Sequence, residues 1–192
     1  AAVVATDSVL RIAADNALTL GNLTGTTVSL VAGAASNNAA GSTLNVSADA
    51  LRISAIGAIG TATRHLTVDV ATLGAYSEND GLFLTAQSAV TVAPVATVVG
   101  ELTSSAGTTT VSDAELNHLT ALNDGAIVLQ SLAGNIEVPN VISSGSGAVL
   151  LSSAAALTLT GDLDSGSGSV SMLAEDAITL GLGASISSST SG

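Results

Sequence analysis

Cysteine is absent from this 192-residue chain, as are lysine and tryptophan. Without cysteine there are no disulfides, thiolate metal sites, haem attachment through C-x-x-C-H or cysteine nucleophiles. Without lysine, the only strong bases are Arg11, Arg52 and Arg64, set against 15 acids for a net charge of −12. A nucleic-acid binder needs a basic stripe to neutralise phosphates, so that class is excluded. Docking on an anionic membrane surface fails for the same reason. Membrane insertion through a helix is excluded too, because no run approaches 18 consecutive apolar residues. The opening Ala1-Ala2-Val3-Val4 lacks a basic n-region and does not read as a signal peptide. It is expected to be the start of a mature fragment or of one module from a longer chain.

Aromatic residues are nearly missing as well, at 1%, namely Tyr76 and Phe83. The chain is nevertheless 47% hydrophobic, so its core must be built from Ala, Val, Leu and Ile. That much apolar residue argues against disorder. Charged residues reach only 9%, against about 25% in an average globular domain. Ser, Thr, Gly, Asn and Asp fill the remainder.

What is present is repetition. The run from Gly125 to Ser131 is echoed from Gly147 to Ser153 and again from Gly168 to Ala174. A second short apolar run follows each: Ile136–Val138, Leu157–Leu159 and Ile178–Leu180. Gly25, Gly41, Gly81 and Gly107 read as further starts, giving units of about 20 residues. Asn79-Asp80-Gly81 and Asn123-Asp124-Gly125 read as the same turn two units apart, in residues that tolerate positive φ. Asp7–Ile12 and Asp49–Ile53 form another echoed pair, each with an arginine between two aliphatics.

Within the runs, apolar and polar residues alternate, as in Val170-Ser171-Met172 and Leu66-Thr67-Val68. That is the strand period. The stretch 113–122 alone places leucines at helical spacing, which leaves room for a short helical decoration. A β-sandwich is the competing architecture. The shortness of the runs, their pairing and the want of large side chains favour coils that stack about 4.8 Å apart. The expectation is an all-β, right-handed parallel β-helix (β-solenoid) with coils of about 20 residues. Residues 1–192 are expected to form a single segment of a longer repetitive chain, with 94–122 as its least regular stretch. About nine coils would extend on the order of 40 Å. Pro94 and Pro139 are expected at strand ends, since proline donates nothing to a ladder.

The run Ile59–Val68, then Asp80–Thr85 and Val90–Val92, resembles the repeats of filamentous-haemagglutinin-like large bacterial exoproteins. The units built like Gly168–Leu180 resemble them too. That resemblance implies a right-handed β-helical rod on a bacterial surface or in its surroundings, serving adhesion, biofilm or scaffold roles. This segment looks like shaft, without a secretion domain or toxin tip. It implies an extracellular location and partners that are neighbouring copies or repeats stacked end to end, with host or matrix glycans as further candidates.

Candidate sites are few. Asp162 and Asp164 bring two carboxylates into a Gly-rich turn that suits calcium, although the nonapeptide calcium signature is missing. The competing reading is a solvated corner. His118 lies three residues from Glu115, which could orient it as a base; His65 is the other histidine. Ser and Thr are so common that a Ser, His and acid together signify nothing without geometry. Arg11 and Arg52 read as outward residues of equivalent strands, against the alternative of a polysaccharide-degrading groove. No catalytic residue and no resident cofactor is expected. Asn22-Leu23-Thr24 and Asn45-Val46-Ser47 match glycosylation acceptors but read as strand and turn residues. A glycan- or protein-binding module remains a second class, with 94–122 as the place to look.

Overall fold

A computed structural model describes residues 2–33, 36–38 and 44–189, with side chains described from Ser8 onward except between residues 34 and 43. Every regular element among them is a strand. The first part of the chain is built from long strands: β1 (Ala2–Ala14), β2 (Leu18–Leu20), β3 (Asn22–Ala32), β4 (Ser36–Asn38), β5 (Val46–Ala55) and β6 (Leu66–Ser77). Then come β7 (Leu82–Ala86), β8 (Val90–Val92), β9 (Val95–Leu102), β10 (Thr108–Leu116) and β11 (Leu119–Ala121). The rest repeats in threes. The first set is β12 (Ile127–Ser131), β13 (Ile136–Val138) and β14 (Ile142–Ser143). The second is β15 (Val149–Ser153), β16 (Leu157–Leu159) and β17 (Leu163–Asp164). The third is β18 (Val170–Ala174), β19 (Ile178–Leu180) and β20 (Ile186–Ser187).

These strands pair in parallel, each with its counterpart one coil on, as in β12 with β15 and β15 with β18. β6 shows how the long and short strands relate. Its beginning pairs with β7, its middle with β8 and its end with β11. One long strand therefore spans three sides that later coils divide by turns. The chain is a parallel β-solenoid.

Inward residues stack in columns. One runs Ile12, Leu30, Ile53, Ala75, Leu119, Ile142, Leu163, Ile186, which makes eight rungs. Others run Leu82, Ile127, Val149, Val170 and Val90, Ile136, Leu157, Ile178. Between the ends these side chains are fully buried, and almost all are aliphatic. Small branched residues fill the narrow bore, and parallel pairing satisfies the backbone along the axis. At the last rung the same columns are open, with Ile178 45% and Leu180 54% exposed.

The steps along the eight-rung column are 18 to 23 residues, except for 44 between Ala75 and Leu119. The coil is thus nearer 22 than 20 residues, and the described coils number eight rather than nine. The long step has one cause. β9 and β10 pair with each other, antiparallel, and with no coil strand. They leave the wall after β8 and return at β11 as a hairpin excursion.

Four sequence expectations are corrected by this hairpin and by the register. The Asn79–Gly81 and Asn123–Gly125 turns are one coil apart, and a Cβ on Gly125 would sit 2.2 Å from the Asp80 carbonyl oxygen. Gly107 closes the hairpin rather than opening a coil: its N–H donates to Thr103 Oγ1, and its carbonyl accepts from the Thr103 N–H. Residues 113–122 form the end of β10 and then β11, not a helix, because cross-strand pairing outweighs the leucine spacing. Gly25 lies inside β3, paired with Ala5, and starts nothing. The start at Gly41 and the junction of Gly192 with Ala1 lie outside the described residues. Pro94 and Pro139 do stand at strand ends, after β8 and β13.

The glycines that open the later repeats have a steric reason. A Cβ on Gly147 would lie 2.3 Å from the Gly125 carbonyl oxygen, and one on Gly168 2.1 Å from that of Gly147. The corner stacks backbone directly on backbone, which only glycine permits.

Candidate functional site

The outward residues of β1, β3, β5 and β6 form a column of their own: Arg11, Ser29, Arg52, Gly74. Two of the three arginines therefore lie on one wall. Strand alternation puts them outward, as expected from the equivalent Leu-Arg-Ile segments. The hairpin covers them. Arg11 Nε donates to both carboxylate oxygens of Asp113, at 3.0 and 2.9 Å, and its Nη1 donates to Glu101 at 2.9 Å. Ser29 Oγ donates to Asp113 at 2.7 Å, and Arg52 Nε donates to the Ala114 carbonyl at 2.6 Å. At the hairpin's base, Gly74 permits contact that a side chain would block: a Cβ there would meet the Leu116 oxygen at 2.3 Å. Leu116, Val95 and Thr97 are buried against the wall, whereas Val98 and Leu102 face solvent.

The Asp113 carboxylate thus gathers two coils under a strap, and the neighbouring Ala114 carbonyl holds a third. Asp113 sits in the least regular stretch of the sequence, and nothing in the spacing pairs it with Arg11, about a hundred residues away. Arg52 is 6% exposed, and burial lowers its pKa, opposed by Asp113 and reinforced by Arg11. A guanidinium remains charged regardless.

His118 stands where β10 returns to the wall, edge-on to Tyr76 with ring centroids 6.5 Å apart. Its Nδ1 is buried without a partner among the described residues. Glu115, exposed, does not orient it. Burial pushes the His118 pKa down, and does the same to His65. His65 Nδ1 is 2.9 Å from Thr85 Oγ1, and its ring lies 6.0 Å from that of Phe83. The two histidines serve different parts of the wall and share no site.

Asp162 and Asp164 flank Leu163 on the outer face of β17. Each is engaged by serines of the next coil. Ser185 donates to Asp162 through its backbone N–H and its hydroxyl, at 3.0 and 2.7 Å. Ser187 Oγ donates to Asp164 at 2.9 Å. The Gly166 N–H, and after it Ser187, hold the Asp164 carboxyl below its ordinary range. The depressed pKa makes the carboxylate a coil-to-coil tie that holds at neutral pH and is lost as pH falls through that lowered value. Among the described residues no third acid or histidine joins these two as a metal cluster. A calcium ion here would have to draw on the same oxygens that accept from the serines.

A groove runs across the corner lined by Thr24, Ser47, Asp49, Asp69 and Ser88. Asp69 accepts from Ser88 at 2.5 Å. Two carboxylates line this groove, but no arginine, histidine or aromatic ring does. Of the two glycosylation triplets, Asn45 is fully buried and spends its amide in the wall. Its Nδ2 donates to the Leu20 and Gly21 carbonyls, and its Oδ1 accepts from the Thr67 N–H at 2.9 Å. It is a corner residue tying successive coils.

No known protein family matches the chain, and neither a curated protein nor a solved structure matches it.

Proposed function

We propose that this chain is shaft: a structural segment of a bacterial cell-surface or secreted filament, akin to the filamentous-haemagglutinin-like exoproteins, that serves adhesion or an extracellular scaffold. The observation that carries this reading is the unbroken aliphatic column of eight rungs, with every coil bonded to the next. Such a stack is stiff along its axis and extends without new chemistry. Its partners are further coils, from neighbouring repeats or copies, in the same parallel register. No enzymatic role is proposed: Asn45, Asp162 and Asp164 are spent on ties between coils, and Arg11 and Asp113 on holding the hairpin. An extracellular setting is supported by the resemblance and by the scarcity of basic residues that proteases could cut.

The hairpin favours a second reading, a binding module for glycans or a host protein. Among the described residues it is the one sizeable excursion that does not repeat, and it presents Val98 and Leu102 to solvent. Electron microscopy of native material, with and without a calcium chelator, separates these outcomes. The shaft reading expects long rods that survive chelation. Loss of rods on chelation would make the Asp162–Asp164 corner a metal site. Isolated globular particles would overturn the shaft and shift attention to glycan screening of the hairpin face.

A further inference from the structure

A second groove follows the rod axis along the corner where the long strands end. Ala14, Ala32, Ala55 and Ser77 are register partners on four successive coils. The residues just after them stack as well: Asp15, Gly33, Ile56 and Glu78. The backbone N–H groups of Gly33, Ile56 and Glu78 donate to the coil before, at the Ala14, Ala32 and Ala55 carbonyls. Beside this row, Val31, Ser54 and Tyr76 form an outward column. The two rows line a groove of about 310 Å³, at the lower end of the about 300–1,000 Å³ of small-ligand sites.

The lining is chemically one-sided. Its middle is apolar or small, and Ile56 there is 48% exposed. Its ends are acidic: Asp15 closes one, and Glu78 closes the other beside Tyr76, the only tyrosine of the chain. Among the described residues no base lines the groove, and neither carboxylate enters an ion pair. The two arginines of the same wall are held under the hairpin, Arg11 by Asp113 and Glu101, and Arg52 by the Ala114 carbonyl. Asp15 and Glu78 stand three rungs apart, about 14 Å. An extended peptide rises about 3.4 Å per residue with alternate side chains on one face, so its first and fifth positions match that span.

We propose that this groove docks an extended basic segment of another protein, with lysines four residues apart. One ammonium meets Asp15. The other meets Glu78 and lies against the Tyr76 ring, whose face attracts a cation. The side chain midway between them, on the same face of the segment, rests on Ile56. A second copy of this chain does not supply such a segment: it has no lysine, and its three arginines stand far apart at 11, 52 and 64. The docking face belongs to the wall, and it stands whether or not the chain is shaft.

The test is a nuclear magnetic resonance titration of the full chain with end-capped pentapeptides at equal ionic strength. With lysine at positions one and five and valine at three, saturable shifts should appear at the amides of Val31, Gly33, Ile56 and Glu78, and not in β15 or β16. Moving the second lysine to position two should weaken binding about threefold, because one ammonium then loses its carboxylate. Asp15→Asn and Glu78→Gln, both at exposed positions, should each weaken it about threefold and together about tenfold. No saturable shift at these amides, equal binding of the two peptides, or unchanged affinity in the double variant overturns the proposal. So does a neutral oligosaccharide that shifts the same amides where the peptide does not, which would assign the groove to a glycan.

Discussion

The inward side chains carry the fold, and each is surrounded by copies of itself. Leu159 is fully buried between its neighbours in β13 and β19. Burying such a side chain is worth about 2–3 kcal/mol. Leu159→Asp would place an unpaired carboxylate in the bore and should cost at least about 4 kcal/mol. Thermal unfolding followed by circular dichroism would show it; an unchanged melting temperature would mean that Leu159 does not face inward. Histidine 118 makes a different prediction. Burial depresses its pKa, so the folded chain holds it neutral and the unfolded chain binds its proton more readily. Stability is therefore present above the unfolded value, about 6.5, and falls as pH drops through and below it. His118→Asn should flatten part of that fall, with His65 accounting for another part. Urea titrations at pH 7.5 and pH 5.5 would measure both, and identical pH profiles for the two chains would contradict the assignment.

At the scale of elements, the hairpin and the coils are held by different forces. The coils rest on apolar columns, and the hairpin rests on Asp113 with a few buried contacts at its base. Charge-assisted hydrogen bonds of this kind are worth about 1.5–3 kcal/mol. Asp113→Asn keeps the shape but weakens the grip of Arg11. Hydrogen exchange should then quicken across β9 and β10 while β12 to β17 keep their protection. Uniform loss throughout would show that strap and rod form one cooperative unit.

This contrast also explains what the sequence makes legible. The glycine-led repeats from Gly125 onward are readable because each coil needs glycine where backbone stacks on backbone, and alternation because each wall has one dry face. Period two, however, says only that a segment is a strand. It does not name the partner. Residues 95–102 and 108–116 alternate like coil strands, yet they pair with each other, and so two units appeared where the structure has one coil. The equivalent Leu-Arg-Ile segments place Arg11 and Arg52 outward, but Asp113 is set opposite Arg11 by a fold-back that leaves no local spacing to read. Asn45 reads as a strand or turn residue from the sequence, but its three wall contacts, to the Leu20 and Gly21 carbonyls and the Thr67 N–H, are set by stacking and leave no local spacing to read.

At the scale of the molecule, seven steps of about 4.8 Å make the described rod about 34 Å long. The chain carries a net charge of −12, and its columns are open at the last rung, where Ile178 and Leu180 are exposed. The whole account depends on the register through the 44-residue step, which makes Tyr76 and Thr120 direct neighbours. The cysteine-free chain allows a clean test: Tyr76→Cys combined with Thr120→Cys, oxidised and assayed by mobility under denaturing conditions. Parallel neighbours about 4.8 Å apart fall within disulfide reach, so near-complete intramolecular cross-linking is expected. If a further coil lay between them, the separation would double. The pair would then stay reduced, and the stack described here, with its hairpin outside the coils, would be wrong.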